Sequence, residues 1–368
     1  MKGTIAGRLS ALCILLLLAI PLHAADYKLD TIAEGFEYPW SITFLPGGEL
    51  LVTQRGGQLL RVSADGSQRK QLNGVPATYV AGQGGFFDVV LHPDFADNNM
   101  VYLSFAHGTP AANATRIVRG TLAEDGLENV EVILTVEPFK DTPQHYGGRF
   151  AFLPDGTLLL TTGDGFEYRE KAQDPSVQFG KTLRVNDDGS VPADNPFAGA
   201  GDASAKVWTY GHRNPQGIVV DQDTGAVYLH EHGPRGGDEL NLLQPGSNYG
   251  WPAITYGLDY SGAYVSPFTE HAGMEQPLWH WVPSIAPAGM TWYDGDAFPQ
   301  WRGDLFVTAL VDKEVRRLDL EDGKIVSETP LFSEIGERLR DIRTAPDGSL
   351  YILTDSEAGK IVRVSPAR

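Results

Sequence analysis

A six-bladed β-propeller is the fold this sequence predicts, on three observations. An apolar stretch, a Pro/Asp/Gly turn and a second, alternating apolar stretch recur six times along the 368 residues. Several of these units run on into a further strand of similar pattern, at a spacing of about 45–75 residues, which is blade-like. The 42 glycines and 24 prolines favour many turns and little long helix. A right-handed β-helix needs a shorter, stricter period, and a pair of β-sandwiches would show a linker, which is missing here.

The units follow in order. Trp40 to Phe44, the Pro46-Gly47-Gly48 turn and Leu50-Leu51-Val52 open the series. Val89 to Asp94 leading to Val101-Tyr102-Leu103 is the second, and Phe150 to Phe152, Pro154-Asp155-Gly156 and Leu158 to Leu160 the third. Ile218-Val219-Val220 and Val227-Tyr228-Leu229 around an Asp-x-Asp-x-Gly turn make the fourth. Phe298 to Gly303 leading to Leu305-Phe306-Val307 is the fifth, and Ala345 to Gly348 leading to Leu350 to Leu353 the sixth. Gln58–Val62, Glu314–Leu318 and Lys360–Val364 read as third strands. Asp164 to Asn195 and Thr255 to Pro287 break the repeat and are expected as extended loops over one face. Radial blades bring loops from all units to one axis, so site residues should be scattered along the chain.

Residues 1–24 read as a secretory signal, with Lys2 and Arg8 at the start, an apolar run from Ala11 to Leu22, and small residues at the end. The apolar run is short of the ~20 residues that span a bilayer. Residues 25–368 are then a single propeller domain, periplasmic or secreted and not inserted in a membrane. The one cysteine, Cys13, lies within the signal, so the mature chain has neither thiol nor disulfide. The formal charge of −18 becomes about −20 without Lys2 and Arg8. Such a chain repels nucleic acid and anionic membranes and accommodates cations and neutral substrates.

Two glycine-bracketed polar loops flank the fourth unit, Gly211 to Gly217 and His230 to Glu239. His230 and His232 alternate, as a zinc pair on one strand face would, but no third ligand is evident. The run Gly233-Pro234-Arg235-Gly236-Gly237-Asp238-Glu239 can turn carbonyls toward a hard cation, with Asp238 or Glu239 adding charge; an acidic surface turn is the alternative. His145, in a glycine-flanked loop, has the titration range of a base near neutral pH. Arg213-Asn214 and the alternating Arg338 and Arg340 suit a small polyanion, because guanidinium pairs with carboxylates in a bidentate fashion; inter-blade ion pairs are the alternative.

Taken together, Gly82-Gln83-Gly84-Gly85, Leu91-His92-Pro93-Asp94-Phe95, His145 to Arg149, Gly211 to Gly217, Glu231 to Glu239, Asn248 to Pro252 and Arg338 to Asp341 resemble the soluble quinoprotein glucose and aldose sugar dehydrogenases. The resemblance runs from about Gly35 to Arg363 and is nearest the bacterial aldose sugar dehydrogenases. It implies a six-bladed propeller that binds pyrroloquinoline quinone (PQQ) and calcium and oxidises aldoses to lactones by hydride transfer to the quinone. By resemblance, His145 is the general base, and Gln83, Arg213, Asn214, Arg338 and Arg340 hold PQQ. The carbonyls of Gly233 and Pro234 would ligate the calcium at the quinone. Glu239 and the Tyr249 carbonyl would bind a second, structural calcium, with Thr255 and Asp259 as further candidates there.

Two positions depart from the family. Gln144 stands where the glucose dehydrogenases have an Asp before the base, which would make His145 a weaker base. Val311 stands where a PQQ-contacting lysine is usual, with Lys313 as its possible replacement. The competing readings are a calcium-dependent propeller lactonase, which would not need the arginines, and a binding module without catalysis. No Cys-x-x-Cys-His haem site exists, so electrons would leave to a separate acceptor. The preferred sugar, and whether the protein is a monomer or a homodimer, are not legible in the sequence.

Overall fold

The computed structural model describes residues 26–367; the expected signal lies outside them. Strand β1 (Tyr27–Phe36) comes first, followed by five sheets in simple succession. They are β2 (Pro39–Phe44), β3 (Leu50–Gln54), β4 (Gln58–Val62) and β5 (Arg69–Gln71); then β6 (Phe86–Leu91), β7 (Met100–Thr109), β8 (Ala112–Leu122) and β9 (Leu127–Thr135). The third sheet is β10 (Phe150–Phe152), β11 (Leu158–Thr161), β12 (Lys181–Val185) and β13 (Val207–Tyr210). The fourth is β14 (Pro215–Val220), β15 (Val227–Glu231), β16 (Asp238–Leu243) and β17 (Trp279–Trp281). The fifth is β18 (Pro287–Trp292), β19 (Leu305–Ala309), β20 (Val315–Glu321) and β21 (Lys324–Leu331). The last sheet holds β22 (Leu339–Thr344), β23 (Leu350–Thr354) and β24 (Gly359–Pro366), with β1 as its outer strand. β1 pairs antiparallel with β24 from Tyr27↔Pro366 to Phe36↔Gly359, so the two ends of the chain close the ring. The inner strands touch in the cycle β2, β6, β10, β14, β18, β22 and back to β2. This is the predicted six-bladed propeller.

Alternation along the strands explains why the blades stack. In β11, Leu158 and Leu160 pack into a cluster with Tyr102, Ile117 and Leu134 of the preceding blade. Leu159, between them, packs the other way, with Ile218 and Leu229 of the next blade. The same happens at all six interfaces, each with its own buried cluster. Each fully buried Leu, Ile, Val or Phe contributes ~1.5–3 kcal/mol.

At the axis the residues are charged. Arg149, just before β10, pairs with Asp88 (3.3 Å) and Asp341 (3.0 Å), and its guanidinium lies 3.9 Å from the Trp40 ring centroid. Arg343 pairs with the same two carboxylates, at 2.8 and 3.1 Å. Arg149 also donates to the carbonyl of Gln216 (3.0 Å). One network thus joins the inner strands of several blades.

The two segments expected to be wholly loops are in part strands. β12 lies within 164–195 and β17 within 255–287. The alternation of Lys181-Thr182-Leu183-Arg184-Val185 was too short to stand out beside the long loops around it. The segment between β16 and β17 leaves the sheet and runs past the end of β13, where Tyr249 N bonds to the Tyr210 carbonyl. It reaches Asp164 with Trp251 and Arg213 with Tyr260 before returning. Among the described residues, no helix is long and apolar enough to cross a membrane.

Candidate active site

His145 sits between β9 and β10 with φ of +48°, a left-handed conformation that costs a non-glycine residue energy. Surrounding contacts hold it there. Its N–H donates to Gln83 Oε1 (2.8 Å), and its Nδ1 pairs with Asp164 Oδ1 at 2.7 Å. Gly163 is packed against its backbone so closely that a Cβ there would lie 2.2 Å from the His145 carbonyl oxygen. Only glycine fits at that contact.

Asp164 is fully buried and fully bonded. Oδ1 also accepts from Phe166 N (2.8 Å), and Oδ2 accepts from Trp251 Nε1 (2.7 Å). Burial by itself pushes this carboxyl up, but His145, Arg213 and the Phe166 N–H together hold it below its ordinary value. Asp164 is therefore an acceptor, which places the His145 proton on Nδ1. That leaves Nε2 unprotonated, without a partner among the described residues, in a ring that lines the cleft. Burial, with help from Arg213 and Lys140, lowers the His145 pKa despite the Asp164 charge, so the imidazole is neutral near pH 7.

The carboxylate partner of His145 is a residue that the sequence did not single out. Gln144 does leave His145 without a charge from the preceding residue, but Asp164 supplies it from the loop between β11 and β12. Sequence alone gave only an Asp between two glycines, Gly163-Asp164-Gly165, nineteen positions from the base.

The expected residues divide between two adjoining spaces. A cavity of about 290 Å³ is lined by Gln83, Asn214, Arg338 and Arg340, with Trp40, Phe87 and Tyr146 as aromatic walls. A cleft of about 390 Å³ holds His145, Asp164, Phe166, Arg213, Pro234, Trp251 and Tyr260. Arg338 and Arg340 both bond to Asp355, at 3.3 and 3.1 Å. Arg55, which the sequence did not single out, joins them in the cavity wall. Three arginines and one carboxylate, Asp355, thus line the cavity, an excess of positive charge in an acidic protein. Val311 is 55 % exposed, and neither it nor Lys313 is among the residues lining the cavity.

Arg213 points at the neighbouring glycine loop. Its Nη1 donates to the Gly233 carbonyl (2.7 Å) and its Nη2 to Tyr260 Oη (3.2 Å). The Gly233 carbonyl is thus held by a guanidinium that itself lines the cleft. The structure separates the two acids of this loop. Asp238 is spent on structure, accepting from Gly233 N, Ser284 Oγ, Ile285 N and Ala286 N at 2.6–3.1 Å. Glu239 stands directly across from Glu231 in the β15–β16 pair. Burial of its carboxyl, then the Glu231 and Asp238 charges, push its pKa well up. Like charges opposite each other in a sheet are unfavourable unless a cation lies between. Glu231 is anchored by His212 (2.7 Å), whose ring stacks on Tyr249 at 4.8 Å. Glu239 and Tyr249 thus belong to one locality around Glu231 and His212.

The histidine pair is no zinc site. His230 is fully buried within the sheet, and His232 Nε2 bonds to the Pro287 carbonyl (2.6 Å). Burial drives His232 down to about 3, so it is a neutral wall group. No group of three or more His, Cys, Asp or Glu placed to hold a metal occurs among the described residues.

Comparison with known proteins identifies the relatives of the chain. Residues 36–363 match the family model for glucose/sorbosone dehydrogenase. The aldose sugar dehydrogenase YliI of Escherichia coli (strain K12) is 40% identical, over 93% of this chain and 94% of its own. A crystal structure of a glucose dehydrogenase, 42% identical, superposes with a TM-score of 0.89 over 92% of this chain and all of that one. The PQQ-bound form of aldose sugar dehydrogenase from Streptomyces coelicolor, 28% identical, does so at 0.75 over 93% and 99%. The chain belongs to the glucose/sorbosone dehydrogenase family.

Proposed function

We propose that this protein oxidises aldose sugars at the anomeric carbon to lactones, with PQQ and calcium as cofactors and His145 as the general base. The observation that carries the proposal is the buried His145–Asp164 pair at 2.7 Å, set beside a cavity walled by arginines and aromatics. PQQ, when bound, supplies the acceptor for the sugar hydride, and calcium polarises it.

The donors present fit both groups. A planar tricarboxylate suits Arg55, Arg338 and Arg340 between aromatic walls, with Gln83 and Asn214 at the edge. Arg213, from the cleft side, adds a fourth guanidinium. Calcium prefers oxygen ligands, which the Gly233 carbonyl, bonded to Arg213, and the carbonyl of Pro234, a residue of the cleft wall, would supply. Glu239 and the Tyr249 carbonyl would hold the second calcium, which would relieve the Glu231–Glu239 opposition.

The chain's own part is proton transfer and orientation. The unprotonated Nε2 of His145 takes the proton of the anomeric hydroxyl while Asp164 holds the ring and stabilises the imidazolium. Trp251 and Phe166 fix the Asp164 loop from either side. We further read residues 1–24 as an export signal, place the protein in the periplasm or outside the cell, and assign reoxidation to a separate acceptor.

Reconstitution tests the proposal. PQQ and calcium added to the apo-protein are expected to give sugar-dependent dye reduction. No reduction at saturating cofactor would overturn it, and lactone hydrolysis without PQQ would point to the hydrolase. For the second calcium, Glu239→Gln is expected to remove the calcium-dependent rise in Tm. At a concentration 100 times Kd that rise corresponds to about 2.7 kcal/mol. In the absence of calcium the variant should melt close to wild type, because burial and the Glu231 charge already favour the protonated, neutral form of Glu239 there. Melting curves with calcium and with chelator read both.

A further inference from the structure

We infer that Lys140 is a positioning residue for the base: its buried ammonium draws the Thr142 and Gln144 carbonyls inward and so fixes the loop that presents His145. The inference rests on the reading of His145 as base, and it concerns a residue with no part in the proton transfer itself.

Lys140 is only 4 % exposed. Its Nζ donates to the Thr142 carbonyl and to the Gln144 carbonyl (2.7 Å), and lies 3.5 Å from the centroid of the Tyr146 ring. One ammonium thus touches residues two, four and six positions ahead of it in the chain, on both sides of His145. Its own backbone is fixed by a two-way pairing with Asn113, at 2.8 and 2.9 Å. Asn113 Oδ1 in turn accepts from Tyr146 Oη (2.7 Å), and Thr142 Oγ1 donates to the Gly165 carbonyl (2.6 Å). The loop carrying the base is therefore tied to the loop carrying Asp164, with the Lys140 side chain as its inner post.

Burying an ammonium is costly, and a methionine would fill similar space without that cost. Two functions justify the lysine. It satisfies carbonyls that the tight turn aims inward, which keeps His145 in its left-handed conformation. It also places positive charge near the imidazole, which disfavours imidazolium and keeps the base in its accepting form. The charges facing Lys140 are Asp164 and Asp141, which favour its ammonium form, and His145, beside the Tyr146 ring. Burial opposes the two carboxylates and pulls Lys140 down to about 7.

The test uses the holoenzyme with Lys140→Met, Lys140→Arg and, as control, His145→Gln. In Lys140→Met, kcat should fall at least about tenfold with a much smaller change in KM. The acidic limb of kcat/KM should move to higher pH, and Lys140→Arg should move it back. The imidazole ¹⁵N signal of His145 in apo-protein should likewise titrate at higher pH in Lys140→Met. Wild-type kcat and limb in Lys140→Met would overturn the inference. So would a loss shared equally by Lys140→Arg with the limb and the imidazole titration unmoved. If Lys140→Met does not fold, the wild-type chain decides: the His145 titration must show a second step coupled to Lys140, and a single independent step overturns the inference. Full activity in His145→Gln would instead sink the assignment of the base, while the imidazole titration would still report on Lys140.

Discussion

Asp164→Asn is expected to lower kcat by about 10³- to 10⁴-fold while leaving the fold intact. Asp164 accepts three hydrogen bonds, from His145 Nδ1, Phe166 N and Trp251 Nε1. An asparagine has one acceptor oxygen. If that oxygen meets Trp251, the amide NH₂ faces His145 and forces the ring proton onto Nε2, which destroys the base. If it meets His145, the NH₂ faces the indole N–H, and the loop must shift. Either way the tautomer or the position is lost. The pH profile separates this from a simple change of protonation. In the wild type, burial holds the His145 pKa down and Asp164 partly offsets it, so the acidic limb of kcat/KM should lie below the ordinary histidine value of ~6.5. Without the Asp164 charge that limb should move lower still, even as kcat collapses. A variant with a raised limb would show that the carboxylate does not face the imidazole.

Arg149→Met should produce the largest loss of stability, about 3–5 kcal/mol, read as a fall in the denaturation midpoint. Arg149 is buried and bonds to Asp88, Asp341 and the Gln216 carbonyl. Among the described residues, its removal leaves the two buried carboxylates with Arg343 as their one ion-pair partner, beside neutral donors such as Ser41 Oγ on Asp88 and Ile42 N on Asp341. The cost comes from those stranded charges and not from the lost attraction itself. Adding Asp88→Asn to Arg149→Met should therefore recover part of the loss, because it removes one of the stranded charges. A double variant as unstable as the sum of the two singles would show that the axial network is not coupled.

Repetition made the fold legible. Short continuous apolar runs repeated in six units dictate strands buried on both faces, because successive side chains point to opposite sides, and such strands need a neighbour on each side. Leu158-Leu159-Leu160, which packs into two different interfaces, is what that pattern looks like when folded. The glycine-rich polar loops were equally readable, because the chemistry of His145, Arg213, Asn214, Arg338 and Arg340 is written in their side chains. β12 and β17 were not readable, because a strand of three to five residues among long loops has too little periodicity to register.

The sequence alone determined the propeller, the family and most of the polar groups that the site assembles. Tertiary structure decided which group faces which. It brought Asp164 to Nδ1 of His145, separated Asp238, a structural acceptor, from Glu239, left facing another carboxylate, and carried Trp251 up the side of a blade to Asp164. It also closed the ring with β1 on β24. The physical reason is the same in each case. Strand periodicity is a local property, set by which side chains must leave water. Partnerships between charged and hydrogen-bonding groups depend on distances of about 3 Å between residues far apart in the chain, and only the closed propeller fixes those.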